Sequence, residues 1–411
     1  MDFTRQYAIT RRFTLGTPRN LAGAASRDVV FFLRAKYGDD PVLCLWAAEV
    51  ATGTEHLLVD PATIGSELED LPRAERARRE RARESASGIV GYALDRDGSV
   101  ACFALGGQLF VADLEDLSNV SVSAASTEPG VFDPRLDPTG RVVAYVVEGQ
   151  LRLIDHLGDA AGEQHDRLLA GDDGPLVSWG RAEFIAGEEM QRNRGYWWSP
   201  DGTQLLLTRV DNGSVATWWI GDPANPEIEP QPVRYPAAGT NNAEVGLWLA
   251  DLEGLVGEID WSDGGTYEYL CDVGWWADHA PLIVRQTRDQ RAVDIAELNV
   301  ADQSLRSIRT ITDDTWVELV PGSPLPIDDG LLTVEDVNGH RSLCLDGRPL
   351  TGDGFEVRSI VGQVGERVLV TGSTEPTEIH LAEVALDGSG TNQITSEPGV
   401  HGAVLAGDTM V

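Results

Sequence analysis

The sequence predicts an all-β protein, a seven- or eight-bladed β-propeller with one short surface helix inserted between early strands. Three observations carry this. Apolar runs of about four to eight residues recur along the whole chain, bounded by Gly, Asp, Asn or Pro. A turn containing Asp-Gly or a close relative opens successive units at the same place in each. A length of 411 residues exceeds what one central core usually organises, which favours units that bury their faces against neighbours.

The units can be followed in order. Residues 29–33 and 42–47 form the first apolar pair. Asp95-Arg96-Asp97-Gly98 then leads into 100–105, a Gly106-Gly107 turn and 109–114, and Asp137-Pro138-Thr139-Gly140 leads into 142–147 and 151–155, matching position by position. A third copy runs through Trp197-Trp198-Ser199-Pro200-Asp201-Gly202 into 205–210 and Asn212-Gly213, a strong hairpin signal because both turn residues accept positive φ. Looser pairs follow at 282–285 with 292–298, 331–334 with 342–345, and 368–372 with 378–384. Repeats of about 40 to 60 residues match propeller blades, whereas two sandwich domains would not repeat one turn at one place in every unit. Residues 1–411 are therefore read as a single propeller domain. Trp197-Trp198, Trp218-Trp219 and Trp275-Trp276 are read as blade packing.

One segment breaks the pattern. Asp70 as N-cap, Pro72 in the first turn and the run Ala74 to Glu84 predict a short helix over about 70–84, supported by the i,i+4 pairs Glu75 with Arg79 and Arg76 with Glu80. Charge on nearly every face places it at the surface.

Composition narrows the function. A formal charge of −34 repels polyanions, and the basic residues gather only within 73–83, where Glu is interleaved, so nucleic acid is excluded as a partner. No stretch approaches the roughly 20 apolar residues of a membrane span, and the first residues carry no secretory pattern, which points to the cytoplasm and away from membranes. Cys44, Cys102, Cys271 and Cys344 lie far apart in apolar runs, with neither metal-ligand nor redox spacing; they read as buried free thiols, and no metal or cofactor is expected.

The chemistry concentrates in Arg181-Ala182-Glu183-Phe184-Ile185-Ala186-Gly187-Glu188-Glu189-Met190-Gln191-Arg192-Asn193-Arg194-Gly195, running into Tyr196-Trp197-Trp198-Ser199-Pro200-Asp201-Gly202. It strongly resembles the double-glutamate motif of the dipeptidyl peptidase IV family of prolyl oligopeptidase-type serine peptidases. A second match is Arg234-Tyr235-Pro236-Ala237-Ala238-Gly239-Thr240-Asn241-Asn242, and a fainter one is Glu335 with Gly339-His340-Arg341-Ser342-Leu343, where Ser342 stands in place of a usual His. The resemblance runs from about Arg12 to the end and covers the propeller half of a family member.

That resemblance implies a substrate-recognition and gating propeller for an exopeptidase that removes X-Pro or X-Ala dipeptides from peptides with a free N-terminus. Glu188 and Glu189 would bind the substrate α-ammonium. Physically this is coherent: two carboxylates side by side need a cation between them, and an ammonium supplies it with three donors. Neighbouring strand residues face opposite ways, so the two glutamates converge only from a helix or turn, which Gly187 would permit. Arg192 and Arg194 would partly balance the pair in the empty protein.

The family's carbonyl-binding arginine has no counterpart in 126–133; Arg135 is close but reads as a strand residue. Trp316-Val317-Glu318-Leu319-Val320-Pro321 falls where some relatives place a Phe-Arg wall and has neither residue. No Gly-x-Ser-x-Gly elbow occurs, so no catalytic residue is assigned and the chain alone is expected to be inactive. The resemblance implies a C-terminal α/β-hydrolase domain absent from this chain, and a homodimer of the full-length protein. The competing functions are a propeller scaffold that binds a protein partner and, more remotely, a propeller glycosidase, whose paired carboxylates need a wider spacing than adjacent residues offer.

Overall fold

The computed structural model describes residues 2–64, 86–126, 129–158, 165–171, 173–407 and 409–411. The charged helix expected over about 70–84 lies outside the described residues. Among them the chain is all-β apart from three short helices, α1 (Phe3–Ile9), α2 (Pro61–Ile64) and α3 (Phe184–Glu189).

Among the described residues seven sheets of four or five strands follow one another along the chain, spanning 19–59, 93–124, 132–170, 177–259, 269–312, 325–349 and 356–393. Each is an antiparallel meander, with Ser87–Gly88 added parallel to Val42–Glu49 in the first. Two hairpins stand apart, Thr217–Ile220 with Gln231–Arg234 and Leu405–Ala406 with Thr409–Met410. The latter lies against the first sheet, where the Gly407 N–H donates to Ala24 O at 2.8 Å.

Hydrophobic burial is distributed between sheets. Phe31, Leu33 and Leu45 of the first sheet pack with Phe103 and Phe110 of the second; Cys102 and Val111 pack with Val143 and Tyr145 of the third. Leu153 meets Tyr196 and Leu207 of the fourth, and Val334 and Leu343 meet Val368 and Val370 across the sixth and seventh. Each fully buried side chain of this size contributes about 1.5–3 kcal/mol, so stability comes from successive interfaces.

The repeated turn has a physical role in this stacking. Asp95 Oδ1 accepts the N–H groups of Ser99 (2.8 Å) and Val100 (2.9 Å), and Asp137 Oδ1 accepts those of Arg141 and Val142, both at 2.7 Å. In the third copy Ser199 Oγ performs the same task for Thr203 (3.1 Å) and Gln204 (2.9 Å). Gly202, at φ +72°, lies so close to Asp137 of the preceding turn that a Cβ would come within 2.5 Å of its carboxylate. The turn thus needs glycine twice over, for its left-handed backbone and for contact with the neighbouring unit.

All four cysteines are buried and unbridged, as expected, and burial pushes the Cys44 thiol up to about 11 and those of Cys102 and Cys344 up to about 12. The tryptophan expectation divides. Trp197 is buried, while Trp275 and Trp276 are half-buried on a cavity wall. Trp218 and Trp219 are 59% and 63% exposed, because their hairpin pairs only with itself and stands off the sheet. No helix among the described residues is long and apolar enough to cross a membrane.

Candidate functional site

Helix α3 lies between the strands Val177–Trp179 and Tyr196–Trp198 of the fourth sheet. Glu183 occupies its N-cap with extended backbone, yet its side chain makes no capping hydrogen bond. It turns instead to Arg192, whose Nη2 donates to Glu183 Oε2 at 2.6 Å. Arg192 Nη1 donates to Arg194 O at 2.9 Å, and Nε donates to Leu270 O at 3.0 Å in the fifth sheet. Both side chains are nearly sealed, 3% exposed for Arg192 and 6% for Glu183. A buried pair of this kind contributes orientation more dependably than net stability, and here it ties the helix to the next sheet.

The chain beyond the helix is turned back by Gln191 at φ +56°, which lets the Arg192 N–H reach Ala186 O at 3.0 Å. Ile185 and Met190 pack on the buried cluster of Tyr269, Cys271, Val284, Val293 and Val317, and the Phe184 ring meets Tyr235 edge-on at 5.3 Å. The helix is therefore held at its start, along its apolar face and just past its end.

Glu188 and Glu189 form the exposed last turn. The helical conformation anticipated for them is present, with neighbours about 100° apart around the axis rather than on opposite faces. Gly187 plays no special part: it lies within the helix, and a Cβ there would meet only the Asn193 side chain at an ordinary 3.5 Å.

The expected balancing role of the arginines is also corrected. Arg192 is committed to Glu183 by geometry, and Arg194 faces a different cavity beside Arg135, its pKa lowered by burial and by the Arg135 charge.

Glu189 lines a pocket of about 350 Å³, and its carboxylate has no ion pair or hydrogen bond among the described residues. Met190 to Arg192 continue this wall, and the others come from distant parts of the chain: Asp272 and Gln286, with Gln290 and the stretch Trp316 to Ser323. Glu188 is not among the lining residues. The segment Trp316 to Pro321, for which the sequence suggested no role, thus forms much of the pocket wall.

A larger cavity of about 1420 Å³ adjoins it, and Gln191, Arg192 and Asp272 border both. Asp133, held at φ +44° by a bulge in its strand, grips Arg135 there, with Nη2 2.7 Å from Oδ1. Arg135 is a strand residue as expected, and the Ser126 hydroxyl contacts Tyr145 Oη at 3.3 Å. Among the described residues no three His, Cys, Asp or Glu side chains gather as a metal-binding group.

Glu183, Gln286 and Glu318 were not legible as site residues. Glu183 belongs to the motif itself, and its only signal was an acid nine residues before an arginine across a turn. Gln286 and Glu318 carried none.

Comparison with known proteins bears on family and fold. The sequence profile of the family described as "Dipeptidyl peptidase IV (DPP IV) N-terminal region" matches residues 103–410. A probable dipeptidyl-aminopeptidase B of Aspergillus clavatus is 27% identical over 345 residues, covering 72% of this chain and 36% of the relative. The protein of the same description from Tuber melanosporum is 28% identical over 331 residues, covering 67% of this chain and again 36% of the relative. The chain thus spans about a third of the length of these relatives. The crystal structure of Porphyromonas gingivalis dipeptidyl peptidase 4 superposes with a TM-score of 0.74 at 16% identity, over 99% of this chain and 57% of that one. At that identity the likeness speaks for the fold.

Proposed function

The chain belongs to the dipeptidyl peptidase IV N-terminal region family, and on that premise we propose that it is the substrate-recognition and gating part of a serine exopeptidase that removes X-Pro or X-Ala dipeptides. In this reading the stacked sheets are the blades of one ring-shaped domain, the large cavity is its channel, and the reacting Ser, Asp and His belong to a hydrolase domain outside this chain. Cytoplasmic placement is part of the proposal, supported by the four unbridged cysteines.

One observation carries the reading. Glu189 presents an uncompensated carboxylate on the wall of a pocket, while the nearby guanidinium of Arg192 is fully engaged elsewhere. Such a carboxylate beside Glu188 suits a ligand cation with several donors, and a peptide α-ammonium is one. Fixing the ammonium at a set distance from a nucleophile is how an exopeptidase would count two residues.

The test is calorimetric titration of the chain with an Ala-Pro-Ala amide and its N-acetyl form. The free amine should bind more tightly by roughly ten- to a hundredfold, because hydrogen bonds to charged groups contribute about 1.5–3 kcal/mol. Glu189→Gln and Glu188→Gln should each erode that difference while the fold survives. Equal binding of the two peptides to the unaltered chain would sink the assignment.

A further inference from the structure

The pocket beside Glu189 carries more acid than base on its walls. Gln286 is 2% exposed and lines it; its amide Nε2 donates to Val317 O at 3.1 Å and to Gln290 O at 3.5 Å. Two carbonyl partners fix which end of the amide is nitrogen, so Oε1 is an acceptor with no hydrogen bond among the described residues. Glu318 adds a carboxylate, about half exposed, and Glu189 adds another.

The cationic donor on these walls, Arg192, is already engaged. Arg192 uses all three of its nitrogens within the protein, and Trp316 Nε1 points to Glu318 Oε2 at 3.4 Å. The cation nearest Glu318 is Arg341, at 4.0 Å, too long for a hydrogen bond. Trp316 itself is 56% exposed at the pocket, which leaves an indole free for a ligand to lie against.

Two carboxylates, an unpartnered amide oxygen and an open indole together describe a receptor for a second cation. We infer that this pocket selects a basic side chain, lysine or arginine, on the first residue of the peptide. The inference rests on the ammonium reading above: with the α-ammonium at Glu189, the first side chain enters between Trp316 and Glu318, where the cation meets the indole and the carboxylate while its methylenes cover Met190 and Val317. The amide oxygen of Gln286 then accepts from the same group.

The experiment uses the full chain and three amides, Lys-Pro-Ala, norleucine-Pro-Ala and N-acetyl-norleucine-Pro-Ala, titrated calorimetrically. Lysine and norleucine share a stem and differ in the charged end. The lysine peptide should bind roughly three- to tenfold more tightly than norleucine, as expected for a partly exposed ion pair joined to a cation–π contact. Glu318→Gln should bring that ratio near one, and raising the salt concentration should shrink it in the unaltered chain. A ratio near one in the unaltered chain, or a ratio that Glu318→Gln leaves intact, overturns the inference. Loss of the acetylation effect alone would overturn the ammonium reading instead, and binding of no peptide at millimolar concentration would overturn both.

Discussion

Two buried ion pairs in this protein use the same chemistry for different ends. Arg285 and Asp294 face each other across neighbouring strands of the fifth sheet, with Nε 2.9 Å from Oδ2. Arg285 also donates to Trp261 O at 2.7 Å and lies 4.3 Å from the centre of the Tyr267 ring, while Asp294 accepts from Ser307 (2.5 Å) and Thr310 (2.9 Å). The ion pair and its hydroxyl partners join strands of one sheet, and the Trp261 contact reaches the linker that enters it from the fourth sheet. The Glu183–Arg192 pair is equally sealed, but it joins the helix that carries Glu188 and Glu189 to Leu270 of the next sheet. A pair within a sheet reinforces register that the backbone ladder already sets. A pair across a turn adds a polar tie to a loop that no ladder fixes, beside the apolar packing of Ile185 and Met190.

Breaking the first pair should have the largest effect on stability. Asp294→Ala strands a buried guanidinium and two hydroxyl groups, and should lower stability by about 3–5 kcal/mol in urea unfolding. The difference in affinity between free and acetylated peptides should remain in the folded fraction. Should that difference vanish as well, the sheet pair is coupled to the site and the contrast fails.

Glu183→Gln should cost less, about 1.5–3 kcal/mol, because the amide still accepts from Arg192 but the charge is gone. Its distinctive effect is on the site: the free-amine preference should fall although Glu183 touches no ligand, and Glu183→Asp should restore part of it. Destabilisation with the preference intact would make this pair merely structural.

The smallest effect is expected at the Glu297–Arg306 pair, which joins adjacent strands of the same fifth sheet at its surface with side chains 35% and 72% exposed. Glu297→Gln should shift stability by less than about 1 kcal/mol and leave peptide binding unchanged. A larger shift would mean that exposure is a poor guide to which of these pairs matter.

Much of the site was legible one residue at a time and illegible as an assembly. That Glu188 and Glu189 sit in a helical turn followed from strand geometry, and they do. That Arg192 would balance them followed from sequence proximity, and it does not, because Glu183 captures it first. The repeated turns were read correctly because each involves residues within five positions of one another. Trp218 and Trp219 were misread because a local pattern cannot say whether a hairpin lies on its sheet or stands away from it.

The sequence by itself determined the strands, the turns between them and the place of the double glutamate, since strand alternation, left-handed glycines and side-chain caps act over a few residues. Only the tertiary structure decided which acid meets which base, and which walls share a pocket with Glu189. Gln286, Trp316 and Glu318 lie about a hundred residues or more along the chain from it and come into place through the stacking of one sheet on the next. That stacking depends on how buried faces fit across an interface, and no repeat within a single strand encodes it.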